Sequence, residues 1–278
     1  SATRRFRCRS SLNHWMSLRS MPDDPLSQPR PLTLQDLKLL LSSIEDLDLQ
    51  PHEMILIGST AAMAWTSSPS SLTTSYDIDL VSPLHNVQLL VNTAFGPESS
   101  FFQQHGFYAQ VVGEWPLKKL PDGWKDRAAR LDIPDVDTVI FAIHPHDIAL
   151  NKAIAHRPKD LLWLGEAFRS SILSLNEFRS FVAQSGVDEP TQINVTRSLF
   201  FIPIAEHRDQ PSLSADYLQL DDLDEATQST VLAKLRDYRD HPEALLPFTI
   251  LQHLPEAHLA KIPLLDELLS PRSREPER

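Results

Sequence analysis

The chain has 278 residues, one cysteine and a formal net charge of −11 at pH 7. This length allows one large domain or two lobes, the lone Cys8 excludes an internal disulfide framework, and the acidic balance argues against a protein that coats nucleic acid. No apolar run approaches the ~20 residues of a membrane helix. We therefore expect two lobes, a cytoplasmic location and no membrane partner.

Residues 1–31 differ in composition from the rest of the chain. Residues 1–20 contain five arginines and no acidic residue, and Met21 opens a proline-rich linker. A transit peptide is one interpretation, and translated sequence upstream of Met16 or Met21 is the favoured one. We expect residues 1–31 to be a disordered extension and exclude them from the fold argument.

The next part of the chain alternates short strands with helices. Thr33 and Asp36 form a capping-box-like start for a helix whose apolar face carries leucines at helical spacing. The predicted elements that follow are strand 54–57, a small-residue helix 61–65, strand 78–81, helix 84–95 and strands 107–112, 129–133 and 136–143.

From His146 onward the pattern is helical. Helices are predicted at 147–155, 159–168, 174–183 and 224–238, with Pro158 at the first position of the second. The predicted fold class is α+β, with a small mixed β-sheet core and flanking helices over residues 32–168. A mainly helical C-terminal lobe follows over residues 169–278.

Two aspartates stand at alternate positions of the strand near residue 78. Side chains at i and i+2 of a strand point the same way, so Asp77 and Asp79 share one face while Ile78 and Leu80 face the core. Asp is depleted in strands, which favours a functional role over that of ordinary surface acids. Two such carboxylates suit Mg²⁺, which takes oxygen ligands and leaves room for the phosphates of a substrate.

Gly58 and Ser59 lie between the first strand and a helix expected to start near Thr60. Glycine lets the backbone approach a phosphate closely, and a helix start directs amide donors at a triphosphate. Ser59 is predicted to donate hydrogen bonds to a phosphate through its hydroxyl and amide. It can serve as the helix N-cap at the same time. The order of these motifs predicts metal-assisted chemistry on a nucleoside triphosphate.

This order resembles the nucleotidyltransferase superfamily with the DNA polymerase β-like fold, whose signature is Gly-Gly or Gly-Ser, a helix, a loop and Asp-x-Asp. A second block, Leu120–Arg127 followed by His146–Leu161, looks like a bacterial subgroup of uncharacterised nucleotidyltransferases. That subgroup carries Gly-Trp-x-x-Arg ahead of a helix reading roughly Asp-Leu-Ala-x-x-Lys-x-x-Ala-x-Arg-x-Lys-Asp-Leu. It is similar to abortive-infection-type toxins, which are thought to transfer nucleotides onto tRNA or other targets.

The resemblance implies roles for further residues. Lys152 matches the subgroup's lysine, which would neutralise charge on the leaving pyrophosphate. Lys159 and Asp160 match its Lys-Asp pair, where related toxins place an essential acid. The superfamily often adds a third carboxylate from a neighbouring strand, for which Asp132 ranks just ahead of Asp137, and Asp160 is the other candidate.

The loop before Asp77 departs from the family pattern. Many relatives carry Arg-x-Thr-x there, whereas this chain has Thr73 and Ser75. The missing arginine removes a possible phosphate or carboxylate partner, and Ser75 is predicted to be a nucleotide-binding residue. The loop Thr66–Tyr76 is rich in Ser, Thr and Pro, so we expect it to be mobile before a ligand binds.

A basic run and three histidines invite other interpretations. Residues 115–130 gather five basic residues around two tryptophans, which suits phosphate binding or base stacking, or else a solvated loop with core tryptophans. The basic residues are Lys118, Lys119, Lys125, Arg127 and Arg130. A zinc site at His144, His146 and His156 is rejected, because no paired cysteine is present and a strand-to-helix turn separates the histidines.

The favoured function is a Mg²⁺-dependent nucleotidyltransferase that moves a nucleoside monophosphate from an NTP to a hydroxyl of tRNA or protein. The resemblance makes a toxin of a toxin–antitoxin pair, with a cognate antitoxin or regulatory partner, part of this hypothesis. One alternative is a catalytically silent module of the same fold that binds a partner. Another is a nucleotidyltransferase for small cationic molecules such as aminoglycosides.

Overall fold

The structure is a computed structural model that describes residues 30–47, 53–66, 71–241, 250, 252–259 and 262. The predictions for residues 1–29 and for the C-terminal end, 263–278, lie outside the described residues. Within the described part, no helix combines the length and the apolar composition needed to cross a membrane.

A five-stranded mixed sheet forms the centre of the fold. The strands are β1 (Arg30–Pro31), β2 (Glu53–Leu56), β3 (Thr74–Ser75), β4 (Asp77–Val81), β5 (Tyr108–Val112), β6 (Ala129–Leu131) and β7 (Val139–Ala142). The sheet order is β5-β4-β2-β7-β6, and β1 pairs with β3 outside it. Strand β4 is parallel to β5 and antiparallel to β2, β2 is parallel to β7, and β7 is antiparallel to β6. The predicted α+β class with a mixed sheet is confirmed.

Helices flank the sheet and make up the C-terminal part. They are α1 (Leu34–Glu45), α2 (His85–Phe95), α3 (Ser100–His105), α4 (Trp124–Arg127), α5 (Pro145–Ala155), α6 (Pro158–Arg169), α7 (Leu175–Gln184), α8 (Glu189–Glu206), α9 (Pro211–Tyr217), α10 (Glu225–Asp240) and α11 (Glu256–Leu259). Short 3₁₀ helices cover Ser59–Ala64, Ser71–Thr73, Leu117–Lys119 and Leu220–Asp222. The small-residue helix after Gly58 is therefore a 3₁₀ helix.

The start of α1 shows why the folded part begins before residue 32. Thr33 and Asp36 form the predicted capping box, and the Asp36 carboxylate also accepts hydrogen bonds from Arg30 at 2.7 and 3.0 Å. Leu32 is buried, and its amide donates to the carbonyl of Thr73 at 3.0 Å. Arg30 and Pro31 thus form β1, although the sequence pattern placed them in the extension.

Part of the loop before Asp77 contacts α6 and β1. Leu72 is buried, and its carbonyl accepts a hydrogen bond from Trp163 Nε1 at 2.9 Å. Thr74 and Ser75 pair with β1. Contacts to α6 and β1 therefore connect residues 71–75 to the rest of the fold, and the expected mobility of the loop before a ligand binds stays a prediction.

Two hydrophobic clusters meet on α8. The larger cluster packs the sheet against α1, α2, α5, α6, α7 and α8 as far as Ile202, and the smaller one joins α8 to α9 and α10. Val195 and Leu199 belong to the first cluster and Ile204 to the second. Packing therefore continues across the predicted boundary at residue 168, through an element that the sequence analysis did not predict.

Helix α8 lacks the pattern that reveals a surface helix. Because it buries side chains on several faces, its apolar residues are not restricted to one stripe.

The predicted inward face of α2 is wrong at one position. Val87 and Val91 are buried as expected, but Leu90 is 45% exposed.

Candidate active site

The two aspartates of β4 face an open cleft. Asp77 and Asp79 are half-buried, whereas Ile78 and Leu80 between and beside them are fully buried in the core. The expected alternation of the strand is confirmed. The cleft has a volume of about 830 Å³ and is lined by both aspartates and by residues of β5, α5 and α6.

Gly58 has a steric role beside Asp79. Its φ is +65° and its ψ −158°, a combination that essentially only glycine adopts. A Cβ atom added here would lie 2.2 Å from Asp79 Oδ2. The turn therefore brings the backbone against the carboxylate, and a larger residue would displace it.

Ser59 and Lys152, two residues predicted to contact the nucleotide, contact each other. Lys152 Nζ donates to Ser59 Oγ at 3.0 Å although the residues are 93 positions apart. Lys152 is only 6% exposed, lies 5.1 Å from the ring centroid of Trp163 and bonds Asp160 at 3.2 Å. Lys152 of α5 thus holds the Ser59 side chain in position within the cleft.

Asp160 is a buried counter-ion, which does not fit its expected role as a catalytic acid. The residue is fully buried, and its carboxylate pairs with Lys152 and with Arg157 Nη2 at 3.1 Å. Burial alone would raise its pKa, but these two cations hold the pKa of Asp160 below its usual value. Arg157 Nε donates to the second carboxylate oxygen at 2.5 Å. Because both oxygens are thus bonded to cations, Asp160 is not placed to accept a substrate proton.

The turn between α5 and α6 creates this arrangement. His156 ends α5 with a φ of +53°, and Pro158 begins α6 at a position that tolerates its missing amide hydrogen. Arg157 then lies one helical turn before Asp160, and Arg157 and Lys159 are exposed on the cleft. The sequence analysis gave these two cations no separate role, although both lie in the family-like motif.

The electrostatics of Asp79 oppose its ionisation. Burial and the charge of Asp77 raise the pKa of Asp79 to about 7, against the lowering influence of Lys152, Lys159 and Arg157. Two neighbouring carboxylates that resist ionising together are stabilised by an added cation. The pair therefore has the donor atoms and the electrostatic deficit that suit a hard divalent metal ion.

Ser75 orients Asp77. Its hydroxyl forms a short hydrogen bond with Asp77 Oδ1, and the Asp77 amide approaches Ser75 Oγ at 3.4 Å. Ser75 also lines the cleft. Ser75 thus supports the Asp77 carboxylate directly. Its predicted contact with a nucleotide stays a prediction.

Asp132 does not reach this cleft. It follows β6, which β2 and β7 separate from β4, and it lines a separate cavity of about 220 Å³ together with Asp137. Leu131 lies opposite Ile140, which in turn lies opposite Met54 near the start of β2, so Asp132 follows at the end of the sheet away from Gly58. Strand order therefore contradicts the choice of Asp132 as the third catalytic carboxylate.

Strand β5, one of the two neighbours of β4, carries no acid toward the cleft. In the β4–β5 register Tyr108 lies opposite Asp77, and Gln110 lies opposite Asp79. Both line the cleft with Val112. Among the described residues, no group of three or more His, Cys, Asp or Glu is arranged to hold a metal ion. Strand β4 therefore offers two carboxylates to the cleft, and its neighbour β5 offers the amide of Gln110 opposite Asp79.

An ion pair outside the cleft connects the two segments of the second motif block, Leu120–Arg127 and His146–Leu161. Arg127 bonds the buried carboxylate of Asp147 at 2.9 Å and the carbonyl of Asp122 at 2.9 Å. It thereby ties the Gly-Trp-x-x-Arg segment to the first turn of α5. His144 and His146 stack beside it with ring centroids 5.0 Å apart, and burial lowers the pKa of both.

A mixed sheet with paired aspartates, a glycine turn against one of them and a cationic cleft wall define a nucleotidyltransferase domain. A family model described as a nucleotidyltransferase of unknown function (DUF6036) matches residues 33–197. This is more than half of the chain, and the protein belongs to that family.

Two other comparisons add little. The comparison with curated proteins finds no match. An antigenic nucleotidyltransferase-like protein from Paracoccidioides brasiliensis is similar, with 16% identity and a TM-score of 0.32 over 66% of this chain and 93% of that chain. This structural similarity is too weak to support an argument about the site. The narrower resemblance to abortive-infection-type toxins stays a prediction.

Proposed function

We propose that the protein is a Mg²⁺-dependent nucleotidyltransferase that transfers a nucleoside monophosphate from an NTP to an acceptor hydroxyl on a nucleic acid or protein. The observation that carries this proposal is the presence of both charge signs in one cleft. Asp77 and Asp79 line it from β4, Arg157 and Lys159 line it from the start of α6, and the charges of both cations act on Asp79. A metal-bound triphosphate has the complementary charges for both walls.

The carboxylates of Asp77 and Asp79 would hold the metal. When bound, Mg²⁺ would supply positive charge next to the phosphates and neutralise the developing negative charge. Two carboxylates on β4 suit Mg²⁺, which ordinarily leaves part of its coordination to substrate phosphates and water. Ser75 fixes the orientation of one of them.

The chain's own residues bind and orient the substrate in this proposal. Gly58 leaves room beside Asp79, Ser59 offers its hydroxyl, and Arg157 and Lys159 neutralise the phosphates that leave. The acceptor oxygen bonds to the α-phosphorus as the bond to the bridging oxygen breaks. Pyrophosphate departs with that electron pair, and the hydroxyl proton passes to solvent.

A labelling experiment tests the proposal. Purified protein is incubated with Mg²⁺, total tRNA or cell protein, and each of the four NTPs labelled at the α-phosphate. We expect one NTP to label an acceptor, and Asp77→Asn and Asp79→Asn to reduce labelling by ~100-fold or more. The proposal is wrong if the wild type shows neither labelling nor a Mg²⁺-dependent thermal shift with any NTP.

A catalytically silent binding module is the second candidate, and Gln110 favours it. An amide opposite Asp79 cannot accept a proton from an acceptor hydroxyl. This alternative expects NTP binding that depends on Asp77 and Asp79 without labelling of any acceptor. Growth arrest on expression in a bacterial host, relieved by Asp77→Asn, would exclude the silent module and support the toxin role.

A further inference from the structure

The β5 side of the cleft carries an exposed aromatic ring. Trp115 is 60% exposed and lines the cleft. Lys119 Nζ lies 5.3 Å from its ring centroid. Tryptophan is enriched at binding interfaces, where contact with a ligand removes its large apolar ring from water. The Trp115–Lys119 pair is thus a feature of the cleft that the reaction chemistry described above does not use.

The structure separates the basic run into two groups. Three of its cations have acidic partners away from the cleft: Lys125 with Glu53, Arg127 with Asp147 and Arg130 with Asp132. Within the described residues, Lys118 and Lys119 form no ion pair, and of these two only Lys119 lines the cleft. The part of the run that is suited to a ligand is therefore the pair of Trp115 and Lys119.

The backbone holds this pair in place. Residues 117–119 form a 3₁₀ turn, and Leu117 and Leu120 on either side of Lys119 are buried. The Leu120 amide closes the turn by donating to the carbonyl of Leu117 at 3.0 Å. Because the turn is anchored in the core, binding at Trp115 orders little additional chain.

The position of the pair indicates which substrate it meets. Strand β5 lies on one side of β4, and β2 with the Ser59–Lys152 contact lies on the other. Displacement at phosphorus proceeds in line, so the attacking hydroxyl enters opposite the leaving pyrophosphate. With the phosphates on the Ser59 side, the acceptor approaches from the β5 side.

We propose that Trp115 and Lys119 form an acceptor platform, on which a nucleobase of a single-stranded nucleic-acid end stacks on Trp115 and its phosphate contacts Lys119. Stacking on an aromatic ring tolerates any base, and a neighbouring cation binds the backbone. This inference rests on the proposed function, whose acceptor it restricts to nucleic acid. One local platform is compatible with a chain whose net charge is −11.

Fluorescence anisotropy of a 5′-labelled single-stranded RNA 12-mer, with Mg²⁺ present, tests the platform. We expect Trp115→Ala and Lys119→Ala each to weaken binding about tenfold, and Trp115→Phe to retain most of it. Lys118→Ala is the matched control, because it removes the same charge one residue outside the cleft. Thermal shifts with Mg²⁺ and NTP are expected to be the same for all four variants as for the wild type.

The outcomes separate the two proposals. Loss of the NTP shift in Trp115→Ala with RNA binding intact would assign the stacked base to the donor nucleotide and overturn the platform. Failure of the wild type to bind the RNA, or equal binding by Trp115→Ala, would also overturn it, even if nucleotide transfer to a protein is observed. RNA binding that depends on Trp115, without any NTP shift or transfer, would support the platform and contradict the proposed enzyme.

Discussion

Helix α6 and strand β4 form two walls of the cleft, and they carry carboxylates with opposite electrostatic surroundings. Asp160 on α6 is fully buried, yet Lys152 and Arg157 hold its pKa low. Asp79 on β4 has Asp77 as its neighbour, and burial together with that charge raises its pKa to about 7. Asp160 is neutralised by cations of the protein itself, whereas Asp79 lies beside a second carboxylate and resists ionisation.

This difference separates a structural acid from binding acids. Removing a buried carboxylate that has two cationic partners destabilises the folded state, because those cations then lack a counter-charge. A pair of neighbouring carboxylates costs stability in the absence of a ligand and returns it when a metal binds. Substitutions on the two walls should therefore change stability in opposite directions.

Asp160→Asn should have the largest effect. The substitution keeps the shape of the side chain but leaves buried Lys152 without its counter-charge, at a cost of about 3–5 kcal/mol in the free energy of unfolding. Urea denaturation at pH 7 measures this. Because the folded pKa of Asp160 lies below its unfolded value, the difference should be complete above about pH 5 and shrink as the pH falls below about 4.

A second substitution distinguishes charge from packing in this result. Lys152→Met combined with Asp160→Asn removes the uncompensated ammonium and should recover part of the lost free energy of unfolding. Equal stability of the wild type and Asp160→Asn would mean that Asp160 is not the counter-ion, and the comparison between the two walls would fail.

Asp79→Asn should act in the opposite direction in the absence of metal. A raised folded pKa means that ionising Asp79 costs stability, and this cost develops as the pH rises from about 4 to about 7. In EDTA at pH 8 we therefore expect Asp79→Asn to be more stable than the wild type by about 2 kcal/mol, a value reduced for partial solvent screening. The difference should disappear near pH 4.

Added Mg²⁺ provides the control for this prediction. Saturating Mg²⁺ with NTP should stabilise the wild type by mass action and leave Asp79→Asn unchanged, so the order of the two melting temperatures reverses. A pH-independent difference in EDTA would instead indicate that packing, and not charge, distinguishes the variant.

The alternation of β4 was sufficient to predict that Asp77 and Asp79 share a face, because it depends only on strand geometry. The contact of Ser59 with Lys152 was not predictable as a contact, since it joins positions 93 apart through the packing of α5. The ranking of Asp132 failed for a similar reason. Its distance from Asp79 depends on the order of strands in the sheet, which no local pattern encodes.

Helix α8 shows how far the fold could be predicted from the sequence. Amphipathic periodicity reveals helices with one buried face, such as α1 and α10. A helix that packs on two clusters at once has no polar face to mark it, so α8 and the continuation of the core beyond residue 168 were missed. The same helix carries the family match past that boundary, to residue 197.

Asp132→Asn should have the smallest effect and sharpens the contrast between the walls. Asp132 is exposed, pairs only with Arg130 at 3.1 Å in the described structure and lies at the far side of the sheet. Exposed pairs of this kind are worth ~0–1 kcal/mol, so stability and its pH dependence should match the wild type. The rate of NMP transfer should also be unchanged, because the side chain cannot reach an acceptor bound beside Asp79. A large loss of transfer with intact stability would show that Asp132 takes part in the reaction. The assignment of the reaction to the carboxylates of β4, without Asp132, would then be wrong.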